Sequence, residues 1–329
     1  MTTVHCVAVT GSTGFVGRYL VRELLRRGIN VRALARSRDK ASAVLPKPGD
    51  GVGKLTVVTG DALNPQDVTD LLTGADACIN LIGIIREVPR DGVTFQKMHV
   101  DVTRTLVKAC EDMGVTRYIQ MSALGVRPVG VAEYQTSKFE GELAVRRSGL
   151  RWTIMRPGLI FGKGSEIVKL AKGWCTGHTQ PFVFLPYFAG GTEDQRVPLG
   201  GVTRHVPRVA PIRVEDVSEA FANALTSDAA VGEVYNLVGG ETLTWPQMLT
   251  HMKEHIPGAL PGLVPFGVPA EVAAIQAKVA GWIGLGQFLP FDEGMARMGA
   301  EDATADLTKA REDLQVRPRA FRECFAECV

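Results

Sequence analysis

The chain has 329 residues, with 37 Lys and Arg against 35 Asp and Glu (formal net charge +2 at pH 7) and 45% hydrophobic residues. These values exclude a disordered chain, which needs fewer apolar groups and more uncompensated charge, and leave no global basic field for nucleic acid. The length suits about two domains, or one large α/β unit with an appendage, able to bury a core without disulfide staples.

In chain order, the apolar run Val4–Thr10 predicts a buried parallel strand, followed by a glycine turn and a helix over Phe15–Arg27. Val16, Leu20, Leu24 and Leu25 recur there at helical spacing, with Arg18, Arg22, Arg26 and Arg27 on the wet side. Gly28 ends this helix, and strands are predicted at Val31–Ala35, Leu55–Val58, Ala77–Leu81, Arg117–Ser122 and Trp152–Arg156. Between them lie a short helix after Pro65, a long one over Phe95–Met113 and another over Tyr134–Ser148. Strand and helix in alternation imply an α/β fold, a doubly wound parallel sheet with helices on both faces.

After Gly164 the rhythm weakens into an aromatic stretch (173–191, with Trp174, Phe182, Phe184, Tyr187 and Phe188) and an arginine stretch (196–213, with Arg196, Arg204, Arg208 and Arg213). Regular structure is expected again at Pro211–Val214, in a helix near Glu215–Leu225 and in a strand at Val234–Val238. The prolines 257, 261, 265 and 269 forbid a helix through that stretch, and Val272, Ile275, Val279 and Trp282 then fall on one helical face. The organisation expected is a sheet domain of residues 1–164 plus about 211–240, with a smaller irregular substrate or lid region at about 165–210 and 241–329.

The six cysteines are scattered, and Cys324 and Cys328 have no nearby His, so they read as small apolar residues of a reducing compartment rather than as disulfides or a metal site. With neither a basic-then-apolar leader nor 18 uninterrupted apolar residues, the expected location is cytoplasmic, without a membrane span.

The sharpest motif is Gly11-Ser12-Thr13-Gly14-Phe15-Val16-Gly17, a G-x-x-G-x-x-G turn between the first strand and the first helix. Gly11 permits the tight turn, Gly14 lets backbone approach a diphosphate, Gly17 lets helix and strand close up, and the helix N-terminus offers unpaired N–H groups. Dinucleotide binding follows. The second strand ends in Arg36-Ser37-Arg38 where an acid would bond a ribose 2′-hydroxyl, which suits a 2′-phosphate and favours NADP(H) over NAD(H). Asp61, with Ala62 after it, either accepts from the adenine amino group or caps the helix before Pro65.

These residues, together with Asn80-Leu81-Ile82-Gly83, Tyr134-Gln135-Thr136-Ser137-Lys138, Arg156-Pro157-Gly158-Leu159-Ile160-Phe161-Gly162 and Val214-Glu215-Asp216-Val217, resemble the short-chain dehydrogenase/reductase superfamily over nearly the whole chain. The glycine spacing and the arginine-proline segment resemble its extended and atypical branches. Asn80–Ile84, Leu307–Val316 and Pro318-Arg319 are similar to the group that includes the NADPH-holding accessory subunit of mitochondrial complex I and its bacterial relatives. The resemblance implies a catalytic Tyr134 that moves a proton while the nicotinamide moves a hydride. Lys138, one helical turn on, is expected to lower the phenol pKa towards neutrality and to donate to the nicotinamide ribose. Leu81, Ile82, Gly83, Pro157, Gly158, Leu159 and Ile160 are expected along the cofactor, Leu159 and Ile160 as backbone donors. The pattern departs at the third member: Ser122 is present, but the extended branch would place the active hydroxyl at Ala123, and His99 replaces the usual asparagine. Either Ser122 serves, or catalysis is weakened or absent.

The aromatic and arginine stretches are expected over the nicotinamide, suiting a small-molecule substrate of amphiphilic character, or forming an ordinary lid. Residues 257–291 carry only two charges, Glu271 and Lys278, and either meet a membrane surface or protein partner or pack on the sheet domain. His178 and His205 read as loop residues. Three functions remain open: an NADP(H)-dependent oxidoreductase, a non-catalytic NADP(H)-holding module of a respiratory or quinone-related assembly, and an NAD-dependent sugar epimerase or dehydratase, against which Arg36 argues.

Overall fold

The computed structural model describes residues 4–47, 49, 52–193, 202–282 and 289–329. The apolar runs become parallel strands β1 (Cys6–Thr10), β2 (Asn30–Ala35), β3 (Leu55–Thr59), β4 (Ala77–Asn80), β5 (Arg117–Met121) and β6 (Arg151–Pro157), with β7 (Glu233–Leu237) outside β6. Their order is β3-β2-β1-β4-β5-β6-β7, every pair parallel. The order reverses between β1 and β4, and ligands of doubly wound sheets bind in the crevice at the carboxyl ends of the strands beside such a switch point.

Helices α1 (Phe15–Arg26), α2 (Arg38–Val44), α3 (Pro65–Leu72), α4 (Val102–Met113) and α5 (Glu133–Arg146) fill the connections. On one face of the sheet Leu20 and Leu24 of α1 share a core with Phe221; on the other, Leu71 of α3 and Leu106 of α4 pack with Val145 of α5. The helix predicted over Phe95–Met113 is divided: Gln96–Asp101 form a π-helix that runs into α4. Such wider turns recur at functional sites because they re-aim side chains, and here the turn carries His99.

Beyond β6 come α6 (Glu166–Cys175), α7 (Val214–Ala224), α8 (Trp245–His255), α9 (Ala270–Trp282), α10 (Glu293–Met298) and α11 (Thr308–Leu314). Leu307, Ala310, Leu314 and Val316, grouped with the lid on sequence, pack into the sheet core beside α7. On α9 the face formed by Val272, Ile275, Val279 and Trp282 is real but exposed, Trp282 by 80%, while Ala270, Ala273, Ala274 and Ala277 are buried. All six cysteines are free, and among the described residues no helix is long and apolar enough to cross a membrane. Arg196 and the side chain of Arg204 lie outside the described residues.

Helix α8 begins with a reciprocal cap: Thr244 Oγ1 accepts from Gln247 N–H (3.4 Å), and Gln247 Oε1 accepts from Thr244 N–H (2.9 Å). This Thr-x-x-Gln pattern, with Pro246 in the first turn, was the available sequence signal for α8. Thr244→Ala should cost about 1 kcal/mol and lower the melting temperature in a circular-dichroism scan by about 2–4 °C; an unchanged melt would deny the cap its role.

Candidate active site

The turn between β1 and α1 is shaped by contacts that only glycine permits. A Cβ on Gly17 would stand 2.2 Å from the Gly11 carbonyl oxygen and 2.7 Å from Ser12 Cα, so α1 is pressed directly onto the turn. Gly11, at φ +68°, adopts the left-handed conformation and lies against the backbone of Leu81 and Ile82. Gly14 differs: it is exposed and in extended backbone, and a Cβ there would meet only the Gly11 carbonyl, at 3.1 Å. It is the N-cap of α1 and supplies no side-chain acceptor, and the first turn of α1 contains no acid. An open glycine surface at an uncapped helix N-terminus, beside the switch point, fits a diphosphate. Ser12 is buried and donates to the Leu34 carbonyl (2.9 Å), so its hydroxyl ties the turn to β2. Phe15 and Val16 pack against the core beside Thr13, whose side chain is half-buried.

Arg36, Ser37 and Arg38 are all exposed at the end of β2, and Ser37 Oγ accepts from Lys40 N–H (3.3 Å) as the cap of α2. Asp61 Oδ1 accepts from Leu63 N–H (2.9 Å), while Asn64 takes the cap position of α3; Ala62 is buried behind this turn. The loop after β4 is held from within: Thr10 Oγ1 donates to Asn80 Oδ1 (2.7 Å), which also accepts from Ile82 N–H (3.0 Å), and Leu81 N–H donates to the Thr10 carbonyl (3.2 Å). Leu81 and Ile82 thus offer shape rather than donors. Across the crevice, Gly158 N–H donates to the Leu237 carbonyl and the Leu159 carbonyl accepts from Ile212 N–H, both at 2.9 Å, while Ile160 pairs with Ile212. The carbonyl of Pro157 accepts from Leu124 N–H (2.9 Å).

Tyr134 and Lys138 lie on α5 one turn apart, as the spacing requires. The Lys138 ammonium donates to the Met121 carbonyl (3.1 Å) and fills the space where a Cβ on Gly83 would be, 2.5 Å away. A side chain at position 83 would have to push the end of Lys138 aside. Burial pushes Lys138 down to about 8, against a smaller opposing pull from Glu142. The expected depression of the Tyr134 phenol is not what this arrangement gives: burial pushes it up to about 12, and the Lys138 charge is not among the causes. The phenol therefore holds its proton at neutral pH.

His99 meets the ring of Tyr134 edge-on (5.4 Å) and stacks on Phe95 (5.3 Å). Its Nδ1 is 2.9 Å from Ser137 Oγ, and its Nε2 lies 3.0 Å from the Ile84 carbonyl oxygen and 3.2 Å from the Ile84 nitrogen. Desolvation, then the Lys138 charge, pushes the imidazole down to about 3, so the ring is neutral. Spacing identified His99 only as a departure; its place against Tyr134 comes from the π-helix.

Ser122 departs from the role expected of it. Its hydroxyl donates to Glu142 Oε1 at 2.6 Å, which leaves no proton to offer a substrate oxygen in this arrangement. Glu142 is fully buried and also receives Arg156 Nε (2.7 Å) and Nη2 (2.6 Å) as a bidentate pair, with Arg146 Nη2 at 3.3 Å. Ala123 next in the chain has no hydroxyl.

Tyr134 lines a cavity of about 400 Å³ together with Arg86, Glu87, Phe95 and Glu133, closed from the far end of the chain by Asp292, Glu293, Gly294 and Met298. Sequence reasoning missed this wall, because nothing local marks α10 as part of the site. Glu301, just after α10, anchors it: its carboxylate receives Arg127 Nη1 (3.1 Å) and Gln135 Nε2 (3.0 Å) near the start of α5. The aromatic stretch expected over the nicotinamide instead lines a second cavity on the other side of α10. His178 pairs with Thr176 in an exposed turn, and His205 with Asp302; Arg208 N–H donates to Asp302, and Arg213 pairs with Glu215 and Glu327.

A family model described as NAD(P)H-binding matches residues 11–172. The chain is 29% identical over 250 residues to an Arabidopsis thaliana mitochondrial protein, NADH dehydrogenase [ubiquinone] 1 alpha subcomplex subunit 9; the match covers 75% of this chain and 57% of that protein. It is 37% identical over 158 residues to a ceramide reductase of Caulobacter vibrioides, covering 48% of this chain and 47% of the relative. The chain thus spans about half the length of these curated relatives. In fold it is similar to the solved structure of an NADPH-dependent quinone oxidoreductase from Escherichia coli, with a TM-score of 0.69 at 18% identity over 98% of this chain and 99% of the other.

Proposed function

We propose that this chain, which carries an NAD(P)-binding Rossmann domain and has atypical short-chain dehydrogenase/reductase-like proteins and the complex I subunit among its relatives, is an NADP(H)-dependent reductase. The cofactor, when bound, supplies a hydride. The amides around Gly11–Gly17 hold its diphosphate, and the exposed guanidiniums of Arg36 and Arg38 bracket a 2′-phosphate beside Ser37, with Asp61 and Ala62 along the adenine. Leu81, Ile82 and Gly83 on one side and Pro157–Ile160 on the other bound the nicotinamide, while Lys138, cationic below pH about 8, donates to its ribose. Tyr134 gives its phenolic proton to the substrate oxygen. Ser122 acts through Glu142 and Arg156, fixing the end of β5 rather than touching substrate. The observation that carries the reading is Tyr134 itself: a phenol protonated at neutral pH, on the wall of a 400 Å³ cavity, one turn from Lys138.

Kinetics with NADPH and a panel of carbonyl compounds test it. Tyr134→Phe should lower kcat by about 10²–10⁴-fold while keeping the melting shift that NADPH induces; undiminished turnover would remove Tyr134 from the reaction. The sign of the pH effect follows from Lys138, whose folded-state pKa lies below its ordinary 10.5. Between pH 8 and 10.5 the folded chain has lost this proton and the unfolded chain has kept it, so the contribution of Lys138 to stability rises across that window. NADPH affinity should move the other way, falling as the ammonium deprotonates. Titrations at pH 7 and pH 9.5 check this against Lys138→Met, in which the component of the fall due to Lys138 should vanish.

A second reading, a non-catalytic NADP(H) holder in a respiratory or quinone-related assembly, is favoured by one observation: the Ser122 hydroxyl is given to Glu142 and Ala123 offers no substitute. It predicts cofactor binding with no turnover on any carbonyl.

A further inference from the structure

The cavity beyond α10 measures about 380 Å³ and is lined by Leu170 and Trp174 of α6, Phe184 and Phe188 of the aromatic stretch, Trp245 at the start of α8, and Met295 of α10. We propose that it is a binding chamber for a single hydrocarbon chain, acyl or prenyl, of an amphiphile whose polar head stays outside the apolar lining.

Three features carry this. The lining is almost wholly aliphatic and aromatic carbon, and its two glutamines, Gln180 and Gln276, are exposed residues rather than an inner polar site. A chamber of that character holds water poorly and gains by taking an apolar guest. Its volume matches a chain of roughly a dozen carbons at the density of a liquid hydrocarbon. The third feature is the shared wall. Asp292, Gly294 and Met298 face the Tyr134 cavity, whereas Phe291, Met295 and Gly299 face the chamber. Gly299 is needed where the wall meets Phe188: a Cβ there would fall 2.6 Å from Phe188 Cδ2. The cavity on the Tyr134 side is charged, with Arg86, Glu87, Glu133, Asp292 and Glu293, so the wall parts a polar compartment from an apolar one. Helix α10, held through Glu301 to Arg127 and Gln135, divides them.

The assignment does not rest on the proposed reductase, and hydrocarbon-chain binding is tested without cofactor. Calorimetric titration of the full chain with fatty acids from hexanoate to hexadecanoate, each below its micellar concentration, should show affinity rising about tenfold per two methylenes and levelling near twelve carbons. Leu170→Phe and Met295→Phe, from opposite walls, should each bring the plateau to shorter chains, and the NADPH melting shift should be unchanged in both. Farnesoate run beside dodecanoate separates the sources: tighter binding of the straight chain assigns an acyl ligand, tighter binding of the branched one a prenyl ligand. Affinity independent of length, affinity still climbing at sixteen carbons, or a plateau unmoved by either variant would overturn the chamber.

Discussion

Gly14→Asp should lose NADPH binding by about 100-fold or more, a cost of about 3 kcal/mol, while the protein without cofactor melts at or slightly above the parent temperature. The two halves of this result have separate causes. Gly14 sits in extended backbone that any residue adopts, and its added Cβ meets only one carbonyl oxygen, at 3.1 Å, which a few tenths of an ångström relieve. Aspartate is moreover a better N-cap than glycine, since its carboxylate accepts from the first-turn N–H groups of α1. The same carboxylate occupies the place of an anion and repels one. Gly17→Val at the other end of the motif should behave oppositely, because a Cβ 2.2 Å from the Gly11 oxygen has nowhere to go. Loss of binding in the first variant without loss of fold separates a ligand role for the turn from a packing role; retained affinity in Gly14→Asp would show that no diphosphate lies there.

Glu142→Ala should be the most destabilising single change near the site, at about 3–5 kcal/mol, lowering the melting temperature by about 10 °C. The carboxylate is fully buried and satisfies Arg156 bidentately, with Arg156 itself only 19% exposed. Removing it strands that guanidinium and leaves Ser122 without its acceptor. Ser122→Ala removes one hydrogen bond and leaves the ion pair standing, so it should cost about 1 kcal/mol. A comparable loss in both variants, read from thermal melts, would mean that the hydroxyl and not the charge pair holds this part of the sheet. Turnover gives the second readout: under the reductase reading Ser122→Ala keeps most of kcat, because its hydroxyl is spent on Glu142.

The elements that position the nucleotide were legible in the sequence because the forces behind them are local. A buried strand, a glycine turn and an amphipathic helix follow one another within β1–α1, and the ends of α1 fall within one residue of the predicted ones. Tyr134 and Lys138 share a face of α5 for the same reason. What the sequence concealed depends on distant partners. Nothing near Ser122 announces that Glu142, twenty residues on, will take its proton. The wall of the Tyr134 cavity comes from Asp292–Met298, far down the chain from α5, and the pattern of a six-residue helix is too short to read. The exposed apolar face of α9 has a plain cause: periodicity locates an apolar stripe but not its neighbour, and the close approach of α9 to α10 and the strand of Pro265–Pro269 favours the small alanines. The phenol of Tyr134 failed the expectation of a lowered pKa because burial alone raises it, while the Lys138 ammonium is turned to the Met121 carbonyl.

Titration calorimetry of the purified chain with NADPH and NADH tests the central claim most directly. The account predicts one site per chain, NADPH bound at least about tenfold more tightly than NADH, and that margin erased in an Arg36→Ala, Arg38→Ala double variant that still binds NADH. Absence of heat with either dinucleotide, or equal affinity for both in the parent chain, would contradict it.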